Sequence, residues 1–98
     1  MSTTRKRTPR AVESALLQIG ENMRMWRTLN GVSRELVALR SGVSVATIRR
    51  LEAGEGASLE NLLRIARTVP IMDQIVSATD PYEHSRGRAL MTTRTLKD

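Results

Sequence analysis

The chain has 98 residues, sixteen Lys and Arg against ten Asp and Glu, a formal charge of +6, one His and no Cys. That length holds one small core, the missing thiols exclude disulfide staples and Cys-ligated metal, and no apolar run nears the roughly 18 residues of a membrane span. The surplus positive charge favours a polyanionic partner.

With no Phe, one Trp and one Tyr, the core must be aliphatic and Met-filled. Alternation of β-branched residues is nearly absent, which predicts an all-α fold. The basic start is not followed by an apolar stretch, so no secretory leader is read and a cytoplasmic location is expected.

Residues 1–8 contain Arg5, Lys6 and Arg7 and no apolar anchor, so a disordered basic arm is expected. Such an arm is either a solvated terminus or a segment that crosses a phosphate backbone or enters a minor groove.

Thr8-Pro9 reads as an N-cap followed by proline at the first helical position. Val12, Leu16, Ile19, Met23 and Trp26 then recur at spacings of four, three, four and three. They form one apolar stripe on a helix of about 20 residues, about 30 Å long. Trp26 is expected as a core anchor of that stripe. Gly20 is expected to mark a kink or break, and Asn30-Gly31 supplies the stop.

Ser33 caps a second helix over roughly 34–41, with Val37 and Ala38 inward; Leu36 and Leu39 are expected to widen the core stripe, the other reading being contact with a partner. Gly42 ends it and Ser44 caps a third helix. Two short helices joined by Ser41-Gly42-Val43-Ser44 are the pattern of a helix-turn-helix, spanning Val32 to Glu55. Ile48 and Leu51, three apart, point into the core, which leaves Val45, Ala46, Arg49 and Arg50 on the exposed face. A charged face by itself means solvation. Placed just after this turn, it is expected to enter the major groove of DNA.

Glu52-Ala53-Gly54-Glu55-Gly56-Ala57 is a glycine-rich loop without the spacing of a phosphate-binding loop. Ser58 caps a fourth helix whose Leu59, Leu62, Leu63, Ile65 and Ala66 make it scaffold. Thr68-Val69-Pro70 breaks that helix. Ile71, Met72, Ile75 and Val76 suggest a short fifth helix ending before Asp80-Pro81. From residue 81 to 98 the periodicity fails, and a tail or a short strand pairing only in an oligomer is expected. His84 has no carboxylate or thiol company, so it is read as a solvated tail residue rather than a metal ligand. With no convergent acid–base set, neither an enzyme nor a cofactor is expected.

From Ile19 to about Val69, half the chain, the sequence resembles the Cro/C1-type (XRE) helix-turn-helix family. The resemblance rests on Ile19-Gly20-Glu21 with Arg27 eight residues after the Ile, the run Val32 to Ala38, and the turn Ser41 to Ser44. It continues through Ile48 to Gly54 and Ser58 to Ala66, in order and without insertions. It implies a five-helix lambda-repressor-like DNA-binding domain, here residues 9–80, with helix 2 across the backbone and helix 3 as reader.

Residue by residue, the resemblance implies base-reading by Val45, Ala46 and Arg50, joined by the neighbouring Arg49. Backbone contact falls to Ser33, Arg34, Ser44 and Thr47. Arg34 stands where the family often has Gln, touching phosphate and bracing the reader. Arg27 and Glu52 match a structural salt bridge between helix 1 and the end of helix 3. Phage-repressor relatives carry glutamines where this chain has Val45 and Ala46, so amide readout of adenine is lost there. Apolar contact with a thymine methyl remains, and Arg50 or Arg49 can pair with guanine O6 and N7.

A second, shorter resemblance is Asp80-Pro81-Tyr82-Glu83 followed by Gly87-Arg88, which is similar to the tail of HipB-like regulators encoded beside HipA-like kinase toxins. It implies an antitoxin and autorepressor in which the tail, residues 81–98, or an outer face of the domain holds the toxin. One small reader helix covers few base pairs, so a homodimer on an inverted repeat of double-stranded DNA is expected. Ile71, Met72, Ile75, Val76 and Leu90-Met91 are the surplus apolar residues for its interface. The expectation is therefore a repressor; the other reading is an interaction module for which DNA binding is secondary.

Overall fold

A computed structural model describes residues 7–94. Six α-helices follow in order: α1 (Arg10–Leu29), α2 (Arg34–Ser41), α3 (Val45–Glu52), α4 (Leu59–Thr68), α5 (Met72–Ala78) and, after a 3-10 turn at Pro81–Glu83, α6 (Ser85–Thr93). The described residues contain no strand, and the fold is all-α and lambda-repressor-like. Residues 1–6 of the expected arm lie outside the described residues, as do 95–98.

Serine caps set three of the starts. Ser33, Ser44 and Ser58 each accept, through Oγ, the backbone N–H three residues on (3.0, 3.1 and 3.1 Å), satisfying one otherwise orphaned donor per helix. At α1 the expected Thr8 cap is corrected. Pro9 is itself the cap residue, without a side-chain bond, and its carbonyl accepts from Val12 and Glu13. Gly42 closes α2 at φ +74°, a left-handed conformation that costs L-residues roughly 1–2 kcal/mol.

The core gathers Met23 of α1, Val37 of α2, Ile48 and Leu51 of α3, and Ile65 and Ala66 of α4, with Val43, Val69 and Ile71 closing it from the connections. Ile48 and Val69 are wholly buried, and each aliphatic side chain of that size so buried contributes about 1.5–3 kcal/mol. α2 packs on both α3 and α4, while α1 lies along α3.

Three expectations change. Gly20 neither kinks nor breaks α1, which runs unbroken through it. A Cβ there would strike the Leu51 carbonyl oxygen and come within 2.9 Å of the Glu52 oxygen, so the glycine lets α3 end directly against α1. Trp26 is not a core anchor, being 41% exposed, and Val12 and Ile19 are also exposed. The reason is the face they stand on: Gly20, Met23 and Arg27 turn to α3 and the core, and at about 100° per residue Ile19 and Trp26 lie about a quarter of a turn away from that side. Leu39 at 80% exposure does not widen the α2 core stripe either, and Leu36 is only half-buried.

The C-terminal stretch is a helix, not an irregular tail or strand, over 85–93. Asp80 Oδ1 accepts from Tyr82 N–H (2.9 Å) to start the 3-10 turn, and α6 packs back on that turn with Gly87 fitted against Pro81. His84 lies within hydrogen-bond distance of the Ser77 carbonyl (3.2 Å), tying the segment to α5.

Candidate nucleic-acid interface

The turn between α2 and α3 is a small hydrogen-bonded unit. Ser41 is buried, and its Oγ accepts from Val43 N–H at 3.1 Å. Arg64, from α4, donates through Nη1 to the Ser41 carbonyl at 3.2 Å and through Nε to Glu60 at 2.9 Å. A cation at the carbonyl end of α2 also meets the negative end of the helix dipole. Val43 drops into the core, fixing the angle at which α3 leaves the turn.

α3 is then held at both ends. Its last residue, Glu52, has only 4% of its side chain exposed and accepts from two arginines. Arg27 donates through Nε at 2.7 Å and Nη2 at 3.1 Å, the bidentate fork that suits guanidinium and carboxylate. Arg34 donates through Nε at 2.9 Å to Oε1, the oxygen that also accepts from Arg27 Nη2. Arg27 also reaches the Val32 carbonyl (3.1 Å). The helix 1–helix 3 brace that the family resemblance implied is therefore present, and Arg34 belongs to it. A third of the Arg34 side chain stays exposed.

With Ile48 and Leu51 turned inward, the expected reader residues are brought together on one surface. Ala46, Arg49 and Arg50 are exposed and Val45 and Thr47 are half-buried. No acidic residue lies in the first turn of α3, and both arginines sit in its last. Arg50 does not wave freely: its Nη2 donates to Thr47 Oγ1 at 3.2 Å. Ser44 Oγ donates to the same oxygen at 2.9 Å while accepting from Thr47 N–H. The two lone pairs of Thr47 Oγ1 are thus filled, and its own proton is left to point elsewhere. Ser44 spends its proton inside the cap, whereas Ser33 only accepts from Leu36 N–H.

Nothing in the sequence marks Arg64 as part of this site, since its bond to Ser41 spans 23 residues. Elsewhere on α1, Arg24 pairs with Glu21 (2.8 Å), and its hydrogen bond holds the Glu21 carboxyl below the ordinary range. That pair is solvent-exposed and plays no part in the reader face. Among the described residues no three His, Cys, Asp or Glu gather as a metal site, and no helix is long and apolar enough to cross a membrane.

The family model described as Helix-turn-helix, of the Cro/C1 type, matches residues 23–71, half the chain. The chain belongs to the Cro/C1-type helix-turn-helix family. The match runs from Met23, the one fully buried apolar side chain of α1, to Ile71 at the start of α5, so it encloses the turn, the reader helix and both ends of the core. Its class is that of DNA-binding transcription regulators. Neither the curated proteins nor the solved structures gave a match.

Proposed function

We propose that the protein is a sequence-specific transcriptional repressor that binds an inverted-repeat operator as a homodimer. Its half-sites would lie about one helical turn, roughly 34 Å, apart. The observation that carries this reading is the outer face of α3, where Arg49 and Arg50 are exposed, Arg50 is steadied by Thr47, and the turn's buried residues fix the helix.

In this reading Arg50 and Arg49 pair with guanine, and Val45 and Ala46 touch thymine methyl groups. Thr47 gives its unspent proton to phosphate, and Ser33, Ser44 and Arg34 sit beside the backbone at the two helix starts. The protein acts in the cytoplasm, without catalysis or cofactor. Footprinting across its own promoter tests it: protection of a two-fold symmetric site supports the reading, and protection without symmetry or none at all removes it.

A second reading is favoured by α6. Between Arg86 and Arg94 lies an open hollow of about 450 Å³ floored by Pro81, Gly87, Leu90 and Met91. An apolar floor between two guanidiniums suits a partner protein, in line with an antitoxin that binds a HipA-like kinase and represses its own operon. Removal of residues 81–98 would then abolish co-purification with such a kinase and spare operator binding.

A further inference from the structure

The dimer surface expected on α5 is largely spent on the fold. Ile71 is buried, and Met72 and Ile75 pack against the core, leaving Val76 exposed. The larger unpartnered apolar surface is on α1. Val12, Ala15, Ile19, Asn22, Trp26 and Leu29 are all exposed, and they follow one another at three, four, three, four and three residues. That is the a/d spacing of a helix that pairs with another helix. At 100° per residue the stripe is centred about a third of a turn round α1 from Gly20, where α3 makes its closest approach, so the two faces do not compete.

We infer that a second copy of this chain covers the stripe, α1 against α1, antiparallel about a two-fold axis. The stripe is complementary to itself only in that sense. Centred between Ile19 and Asn22, antiparallel pairing sets Val12 against the partner's Leu29, Ala15 against the partner's Trp26, and Ile19 against the partner's Asn22. The bulkiest residue of the stripe thus meets its smallest, the large-to-small match that close packing requires. An open hollow of about 280 Å³ between Asn22, Met25, Trp26 and Leu29 lies on the same face.

Charge selects the same orientation. Arg7 and Arg10 stand at the start of α1 with no acid before Glu13, so parallel pairing would bring two basic ends together. Antiparallel pairing brings each to the negative end of the partner's helix dipole, where Arg24 and Arg27 are already occupied by Glu21 and Glu52. Asn22, the one polar member of the stripe, has its Oδ1 already satisfied by Gln18 at 3.0 Å and lies beside the two-fold axis, where it keeps a hydrogen-bonding partner of its own chain. A single pair of helices about 30 Å long is at the small end of stable interfaces, so association in the micromolar range is expected.

The inference rests on the homodimer half of the proposed function and not on DNA, and its test is run without DNA. Sedimentation of the full chain over a concentration series gives the oligomeric state, and Trp26, the sole tryptophan, reports burial by a blue shift of its emission. The parent should dimerise with that shift. Ala15→Glu and Trp26→Lys should each weaken association at least tenfold while far-UV circular dichroism is unchanged, since both positions are exposed. Mixed together, the two should recover a heterodimer, because Glu then faces Lys in one layer and the parental Ala–Trp layer remains in the other. Val76→Glu should leave the dimer intact. A parent that stays monomeric, an Ala15→Glu chain that dimerises like the parent, failure of the mixture to recover, or dissociation by Val76→Glu would each overturn the inference, whatever the outcome on DNA.

Discussion

Arg27 Nε lies 2.7 Å from Glu52 Oε2, and through that contact the last residue of the reader helix is fastened to α1. Both side chains are largely withdrawn from water, 13% and 4% exposed. A carboxylate in that setting is tolerable only while its cations remain. Arg27→Ala strands the Glu52 charge with Arg34 alone and should cost about 3 kcal/mol in urea unfolding. Arg34→Ala, at the more exposed partner, should cost about 1 kcal/mol or less.

Gly20→Ala tests the close approach of α1 and α3. In an unconstrained helix the change gains about 1 kcal/mol from propensity. Here the added methyl meets the Leu51 and Glu52 carbonyl oxygens, which are backbone and cannot rotate away. The expected result is a net loss of about 1–3 kcal/mol in stability, with weaker DNA binding because α3 is displaced. A gain in stability would show that α3 ends further from α1.

Gly42→Ala tests the turn. At φ +74° an alanine carries left-handed strain of about 1–2 kcal/mol, while its methyl, 3.4 Å from Arg64 Nη1, would only touch the clamp that holds the Ser41 carbonyl. Thermal melting should show a lower midpoint, and Arg64→Ala should lower it too by freeing the same carbonyl.

Thr47→Val keeps the shape of the side chain and removes the oxygen that steadies Arg50. Stability should change little, while operator affinity should fall about five- to tenfold, equivalent to about 1 kcal/mol. The loss should be larger on operator than on random duplex, because a loosened Arg50 still finds phosphate. Equal losses on both would assign Thr47 to the backbone alone.

The helix-turn-helix is legible in the sequence because its determinants are local: the two capping serines Ser33 and Ser44, a glycine that must turn left-handed, and Ile48 and Leu51 three residues apart. The brace on Glu52 is legible only through the family resemblance, since Arg27 and Glu52 are 25 residues apart. α1 misleads for a different reason. Its core face runs through Leu16, Gly20, Met23 and Arg27, and its exposed stripe through Val12, Ile19 and Trp26. The two interleave at helical spacing, and one apolar pattern merges them, so Trp26 is assigned inward. Gly20 and Arg27 look like defects in an apolar face until α3 and Glu52 are placed against them. α6 escapes because Ser85–Thr93 has little apolar periodicity; packing against Pro81 and the Arg88 bond to the Tyr82 carbonyl (2.8 Å) take its place.

The central claim is that the exposed face of α3 reads base sequence, and it is tested most directly by Arg50→Ala on operator and random duplexes at one fixed salt concentration. The arginine face predicts an operator affinity lower by about 1–3 kcal/mol and a relaxed preference at the base pair Arg50 faces, with random-duplex binding much less affected. An Arg50→Ala protein that binds both duplexes as the parent does would contradict it.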